Sequence, residues 1–154
     1  MSIVKEIYDV TKDLAKNKVA LNKIKRALLT ESKLNHRFLE DIADKEKRLK
    51  KERMIKIVNN LEVEELKAAI TCGLPFDFIT FKKVTKEMME GLDPLKAMDN
   101  DLETVLEKIY LKIAYLKKDY DSEHINLYIR IRNIFNYNQL LQRMIERSKE
   151  SIRI

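Results

Sequence analysis

At 154 residues, with 45% hydrophobic and 36% charged side chains, the chain has the length of one domain (1–154) and enough apolar content to fold. Two Gly and two Pro are too few for the turns of an all-β protein of this size, and a single Cys excludes a disulfide within the chain and points to a reducing, cytoplasmic compartment. No run of about 18 apolar residues occurs, so no transmembrane segment is expected, and Lys5, Asp9, Lys12 and Asp13 break up what a signal peptide would need.

The net charge of +6 is unevenly spread, because residues 16–56 carry 14 Lys or Arg against 6 Asp or Glu. Such a basic stretch suits nucleic acid, an acidic partner or an anionic surface, and selects none of them.

Ile3, Ile7, Val10 and Leu14 recur at helical spacing and predict a first helix over 2–15. From Val19 to Ile57, Leu21, Ile24, Leu28, Phe38, Leu39, Ile42 and Leu49 keep one helical phase. That continuity predicts a long basic helix over 19–59, with a bend or break near Thr30 to Ser32 because about 60 Å is long for a globular helix. Residues 44–53 hold one apolar residue, Leu49, and read as a solvated helical stretch supported by pairs such as Asp41 with Lys45 and Asp44 with Arg48.

Asn59 and Asn60 offer caps for a short helix that Gly73 and Pro75 stop. Phe76, Phe78, Ile79 and Phe81 predict the densest part of the core, continuing helically through Val84, Met88 and Leu92. Asp93 and Pro94 have the form of a helix start, followed by Leu95, Met98, Leu102, Val105, Ile109, Ile113 and Leu116. A last helix opens after Ser122 and runs to about Arg147, with Leu127, Ile131, Ile134, Leu141 and Ile145 on its core face, and the 148–154 tail is expected to fray. The fold class is therefore all-α, an irregular bundle of about five or six helices in which 95–118 and 123–147 form an antiparallel C-terminal hairpin.

Catalytic and metal chemistry find little support. His36 and His124 have no ligand-type neighbour at zinc spacing, so no metal is expected. Cys72 lies at a helix C-terminus, where the dipole does not stabilise a thiolate. The two glycines form no phosphate loop, so no nucleotide cofactor is implied.

One constellation stands out, Arg130-Ile131-Arg132-Asn133-Ile134-Phe135-Asn136-Tyr137 in the last helix. Arg132-Asn133, followed by three residues and the ring of Tyr137, resembles the signature of HEPN-type helical RNases, in which an Arg and a polar residue precede a His. The resemblance implies a helical domain that dimerises with its motif helices facing each other, and a link to RNA cleavage, toxin–antitoxin pairs or phage defence. It places Arg132, Asn133 and Tyr137 in the motif positions. Tyr137 stands where the family has His, and a phenol with a reference pKa near 10 is a poor proton shuttle at neutral pH, which implies a non-cleaving member.

The same helix carries two polar stripes. Arg132, Asn136, Gln139 and Arg143 form one, whose simplest use is to bond a neighbouring helix or a second subunit. Asn126, Arg130, Asn133 and Tyr137 form another about 120° away, leaving Ile129 and Leu140 on a half-exposed face. Apolar residues framed by Arg, Asn and Tyr have the composition of a protein interface, so Ile129, Arg130, Arg132, Asn133, Asn136, Tyr137, Leu140 and Arg143 are the expected partner-binding set.

The leading expectation is a non-enzymatic helical interaction protein or accessory subunit, self-associating or bound to a larger protein. An alternative is nucleic-acid binding along 23–56 through Arg26, Lys33, Arg37, Lys45, Arg48 and Lys51, whose phosphate contacts would be salt-sensitive and sequence-independent. A second alternative is the HEPN-like RNase or its inactive relative.

Overall fold

The computed structural model describes the backbone of residues 2–151 and the side chains of residues 2–147. Among the described residues it is all-α, with seven helices and no strand. They are α1 (Ile3–Val10), α2 (Lys18–Ala43), α3 (Lys51–Asn60), α4 (Glu64–Cys72), α5 (Phe76–Ile79), α6 (Leu102–Asp119) and α7 (Leu127–Ser151), with 3-10 turns at Leu14–Lys16 and Glu87–Met89. No helix among the described residues is long and apolar enough to cross a membrane.

The long helix α7 packs along both α2 and α6. Lys112 lies over the Tyr137 ring, while Tyr115 and Leu116, further along α6, share a recess with the earlier Arg130. The α6–α7 hairpin is therefore antiparallel. All seven helices contribute to one buried cluster, including Val4, Leu28, Ile57, Leu66, Ile79, Ile109 and Leu141.

Helix α2 runs unbroken through Thr30–Ser32, where a bend or break was expected. Ser32 is buried there and donates its hydroxyl to Asn138 Oδ1 at 2.7 Å, while Asn138 Nδ2 donates back to Ser32 O at 2.9 Å. This reciprocal pair satisfies the polar groups that the α2–α7 seam buries. The break comes instead at 44–50, where Asp44 turns extended and accepts from Glu46 N at 3.0 Å. The expected i to i+4 pairing gives way to longer contacts, Asp41 with Lys47 at 2.8 Å and with Arg53 at 2.9 Å. These contacts fold the stretch back on α2, and the lone half-buried Leu49 gives it little apolar surface for a helical path.

Helix ends differ from the sequence expectation because their caps come from far away in the chain. Asn59 and Asn60 finish α3 and do not open α4. The first N–H groups of α4, Glu65 N and Leu66 N, bond to the Glu31 carboxylate at 2.8 and 3.0 Å. Glu65 in turn accepts Ile3 N at 2.7 Å and Val4 N at 2.9 Å, closing the start of α1. That first helix ends at Val10, short of the expected Ala15, and buries Val4 while Val10 points outward.

Only α5 is helical in the aromatic segment. Phe76 and Ile79 are buried, but Phe78 and Phe81 are exposed, so this is not the densest core patch. From Thr80 the backbone is extended, and Val84 exchanges hydrogen bonds with Asp99 and Asn100 at 3.0 and 2.9 Å. Asp93 does not start a helix, since its carboxylate is bound elsewhere, and α6 opens at Leu102 with Asp101 as cap, accepting Thr104 N at 2.8 Å. Asn126 caps α7 through Ile129 N at 3.2 Å, later than the expected opening after Ser122. Of the tail expected to fray, 148–151 continue the α7 backbone, and 152–154 lie outside the described residues.

Candidate functional site

The motif residues of α7 point in different directions. Arg132 is largely buried and donates from Nε to Asp93 Oδ2 at 2.6 Å and from Nη1 to Ile42 O at 2.7 Å, closing the open C-terminal carbonyls of α2. Asn136 completes the knot, donating to Asp93 Oδ2 at 3.0 Å and accepting Asp93 N at 3.1 Å. Lys45 Nζ also reaches Asp93, at 3.0 Å. The Arg132 hydrogen bond, foremost, holds the Asp93 carboxyl down to about 2. Tyr137 is 3% exposed and faces α6, with its hydroxyl 3.4 Å from Lys96 O and its pKa raised by burial. Arg132 and Tyr137 therefore share no open groove, and Asn133 alone of the three lines a surface recess without a hydrogen bond to the connector.

Five of the eight residues in the expected partner-binding set, Arg132, Asn136, Tyr137, Leu140 and Arg143, are committed within the chain. Arg143 Nη1 donates to Met88 O and Glu90 O, both at 2.8 Å. Together with Arg132 and Asn136 this stripe bonds the connector before α6. Leu140 is 0% exposed, against the expectation of a half-open position. Its neighbours one helical turn away, Asn136 and Arg143, both bond the connector between Met88 and Asp93, which runs along this side of α7. Ile129, near the start of α7, is 60% exposed.

What stays open is the N-terminal part of α7 and the facing side of α6. A recess of about 190 Å³ is lined by Leu111, Lys112, Tyr115, Leu116, Arg130, Asn133 and Ile134. A second, of about 200 Å³, includes Tyr128, Ile129, Arg132 and again Asn133. Leu111 and Tyr115 are 54% and 53% exposed, large apolar surfaces in the open. Lys112 Nζ lies 5.1 Å from the Tyr137 ring centroid and Lys108 Nζ 5.9 Å from it. Partial burial, then the positive charges of Arg130 and Lys108, hold the Lys112 ammonium below the ordinary lysine value. Sequence reasoning passed over Leu111 and Tyr115. Their signal was an apolar pair four residues apart that lies off the Val105–Ile109–Ile113–Leu116 seam.

The basic segment is divided by the break after α2. Arg26, Lys33 and Arg37 share the exposed face of α2, Lys45 and Arg48 sit in the connector, and Lys51 begins α3. Lys33 approaches Glu146 and Lys51 approaches Asp121, each at 4.0 Å, and Lys45 is held by Asp93. Arg26 overhangs a cavity of about 490 Å³ whose lining also includes Glu31, Glu62, Glu64 and Glu65. The Glu31 and Glu65 carboxylates are occupied by helix N-termini, so the deepest polar groups of that cavity are already spoken for.

Among the described residues no three His, Cys, Asp or Glu side chains converge as a metal site. His36 is half-buried and stacks on Phe135 with ring centroids 5.7 Å apart, and Cys72 is half-buried beside Gly73. No protein-family model, no curated protein and no solved structure matches the chain.

Proposed function

We propose that the chain is a helical interaction protein or accessory subunit that binds a partner protein through the open α6–α7 face. The observation that carries this reading is the grouping of exposed Leu111, Tyr115 and Ile129 around two recesses that meet at Asn133. Apolar anchors, an aromatic ring and Arg130 at the edge are the composition that protein interfaces favour. Recesses of 190 and 200 Å³ fall below the roughly 300–1,000 Å³ of small-molecule sites, so side chains of a docking protein suit them better than a metabolite. A cytoplasmic location belongs to the same proposal, supported by the lone Cys72.

Replacing Tyr115 by a benzoylphenylalanine photocrosslinker tests it in the native host. A discrete adduct is expected from this position and not from the exposed Lys86 replaced in the same way. Absence of any adduct at Tyr115, with the protein monomeric by light scattering, overturns the reading.

Nucleic-acid binding by α2 has its support in the shared exposed face of Arg26, Lys33 and Arg37. Salt-dependent affinity for RNA or duplex DNA that Arg26→Gln with Arg37→Gln weakens is its test; no binding at low ionic strength dismisses it. The HEPN reading rests on the motif alone. Asn133→Ala is the informative variant there, because Arg132→Ala also strips the end of α2, and an absence of RNA cleavage retires an active RNase.

A further inference from the structure

Three cations gather on the open α6–α7 face, and among the described residues none of them forms an ion pair. Lys112 and Arg130 line the same recess, and Lys108 stands beside Lys112 over the Tyr137 ring. Lys108 is the only one of the three with a side-chain hydrogen bond, and its partners are Lys96 O and Asn100 Oδ1, neither of them charged. Elsewhere some basic side chains do find carboxylates, Lys45, Lys47, Lys51, Arg53 and Arg132 among them. Like charges brought together beside apolar surface and left uncompensated repel one another until an anion arrives.

Resting on the interaction reading above, we infer that the occupant of this face is an acidic, apolar segment of another protein. One of its carboxylates lies between the Lys112 ammonium and the Arg130 guanidinium, and its apolar side chains cover Leu111, Tyr115 and Ile129. Charge complementarity chooses among the candidate occupants. A second copy docked two-fold on this face sets Lys112 and Arg130 against their own equivalents, because a two-fold interface places the same patch on both sides. A phosphodiester backbone supplies the negative charge but leaves Leu111 and Ile129 in water, and phosphates are best met by a row of cations along a groove, not by one compact group.

Titration of the isotope-labelled full chain, followed by NMR, reads the proposal directly. The probes are a soluble helical peptide of Glu and Leu, the same peptide with Gln for every Glu, and oligouridylate. The Glu–Leu peptide should shift the signals of 111–116 and 129–133, and the Gln–Leu peptide should bind at least about tenfold more weakly. Lys112→Gln and Arg130→Gln should each weaken the Glu–Leu peptide by about three- to tenfold, and the control Lys86→Gln should not. The variants should keep the fold, since neither side chain makes a hydrogen bond or ion pair, and the Lys112–Tyr137 ring contact is the one interaction lost. Shifts elsewhere or none, equal binding of the Gln–Leu peptide, or tighter binding of oligouridylate at the same residues each overturn the inference. If the Tyr115 crosslink forms in the native host and survives Lys112→Gln with Arg130→Gln, the interaction reading stands and the acidic partner falls. If no crosslink forms, both fall.

Discussion

Arg132 holds Asp93 at 2.6 Å with one edge of its guanidinium and the last carbonyls of α2 with the other. One side chain thus fixes both the end of α2 and the connector that leads into α6. The Asp93 carboxyl titrates at about 2 in the folded chain against an ordinary 3.8, so the folded state favours the ionised form. Its stabilisation is complete above pH 3.8 and is lost as the pH falls toward 2. Asp93→Asn should cost about 2 kcal/mol at neutral pH and lower Tm by roughly 4–8 °C. In urea unfolding from neutral to acid pH, the variant should also lose part of the steep decline below pH 4; a wild-type slope there would refute the assignment.

Glu31 works in the opposite sense. Burial, its largest influence, raises its pKa above 4.5 in spite of the two backbone N–H groups that it accepts. The folded chain therefore binds the proton more tightly than the unfolded chain, and the Glu31 contribution falls as pH rises through the raised value. Glu31→Gln should flatten that fall above pH 4.5 while costing about 1 kcal/mol for the poorer cap. Midpoints of urea unfolding at a series of pH values separate the two effects.

Leu140 and Ile129 sit nearly in line on α7, yet one is closed over and the other open. Leu140→Ala should cost about 2–5 kcal/mol, the range for emptying a packed site. Ile129→Ala should stay within about 0.5 kcal/mol, as surface changes do. Equal costs in equilibrium denaturation would contradict the burial of Leu140 and the exposure of Ile129.

The Ser32–Asn138 pair allows a cleaner test of the α2–α7 seam. Asn138→Leu alone strands the Ser32 hydroxyl and should cost about 1–3 kcal/mol. Combining it with Ser32→Ala removes the stranded group and should recover part of that loss, so the two changes are not additive. Additive costs would mean that the pair does not couple α2 to α7.

The all-α class, the buried seam of α2 and the stop at Gly73 were legible because each depends on nearby residues. Leu21, Ile24, Leu28, Leu39 and Ile42 are buried as their spacing predicts, and Gly73 takes the left-handed conformation, φ 66°, that glycine permits. Helix ends were not legible where the capping group comes from a distant segment. Nothing near Glu64 announces that Glu31 will cap α4, and Asp93, with the form of a helix start, is taken by Arg132, 39 residues later. The site was legible in part for the same reason. Ile129, Arg130 and Asn133 face outward as expected, whereas Leu140 is buried and Asn136 and Arg143 bond the connector, whose course no local pattern encodes.

Glu31 and Glu65 also tie three helices to one another through their ends. Glu65 fastens the start of α1 to α4 and Glu31 fastens the start of α4 to α2, while α1 packs on α2 as well. Breaking the Glu65 joint therefore leaves α1 held by packing, while breaking the Glu31 joint uncaps α4. Amide exchange should accordingly be fastest in α1, slower in α4 and slowest in α2, and Glu65→Gln should quicken only the first of the three. Without Glu65 the amino-terminal helix would thus keep its buried Val4 and its packing on α2 and lose only the polar clasp at its first turn.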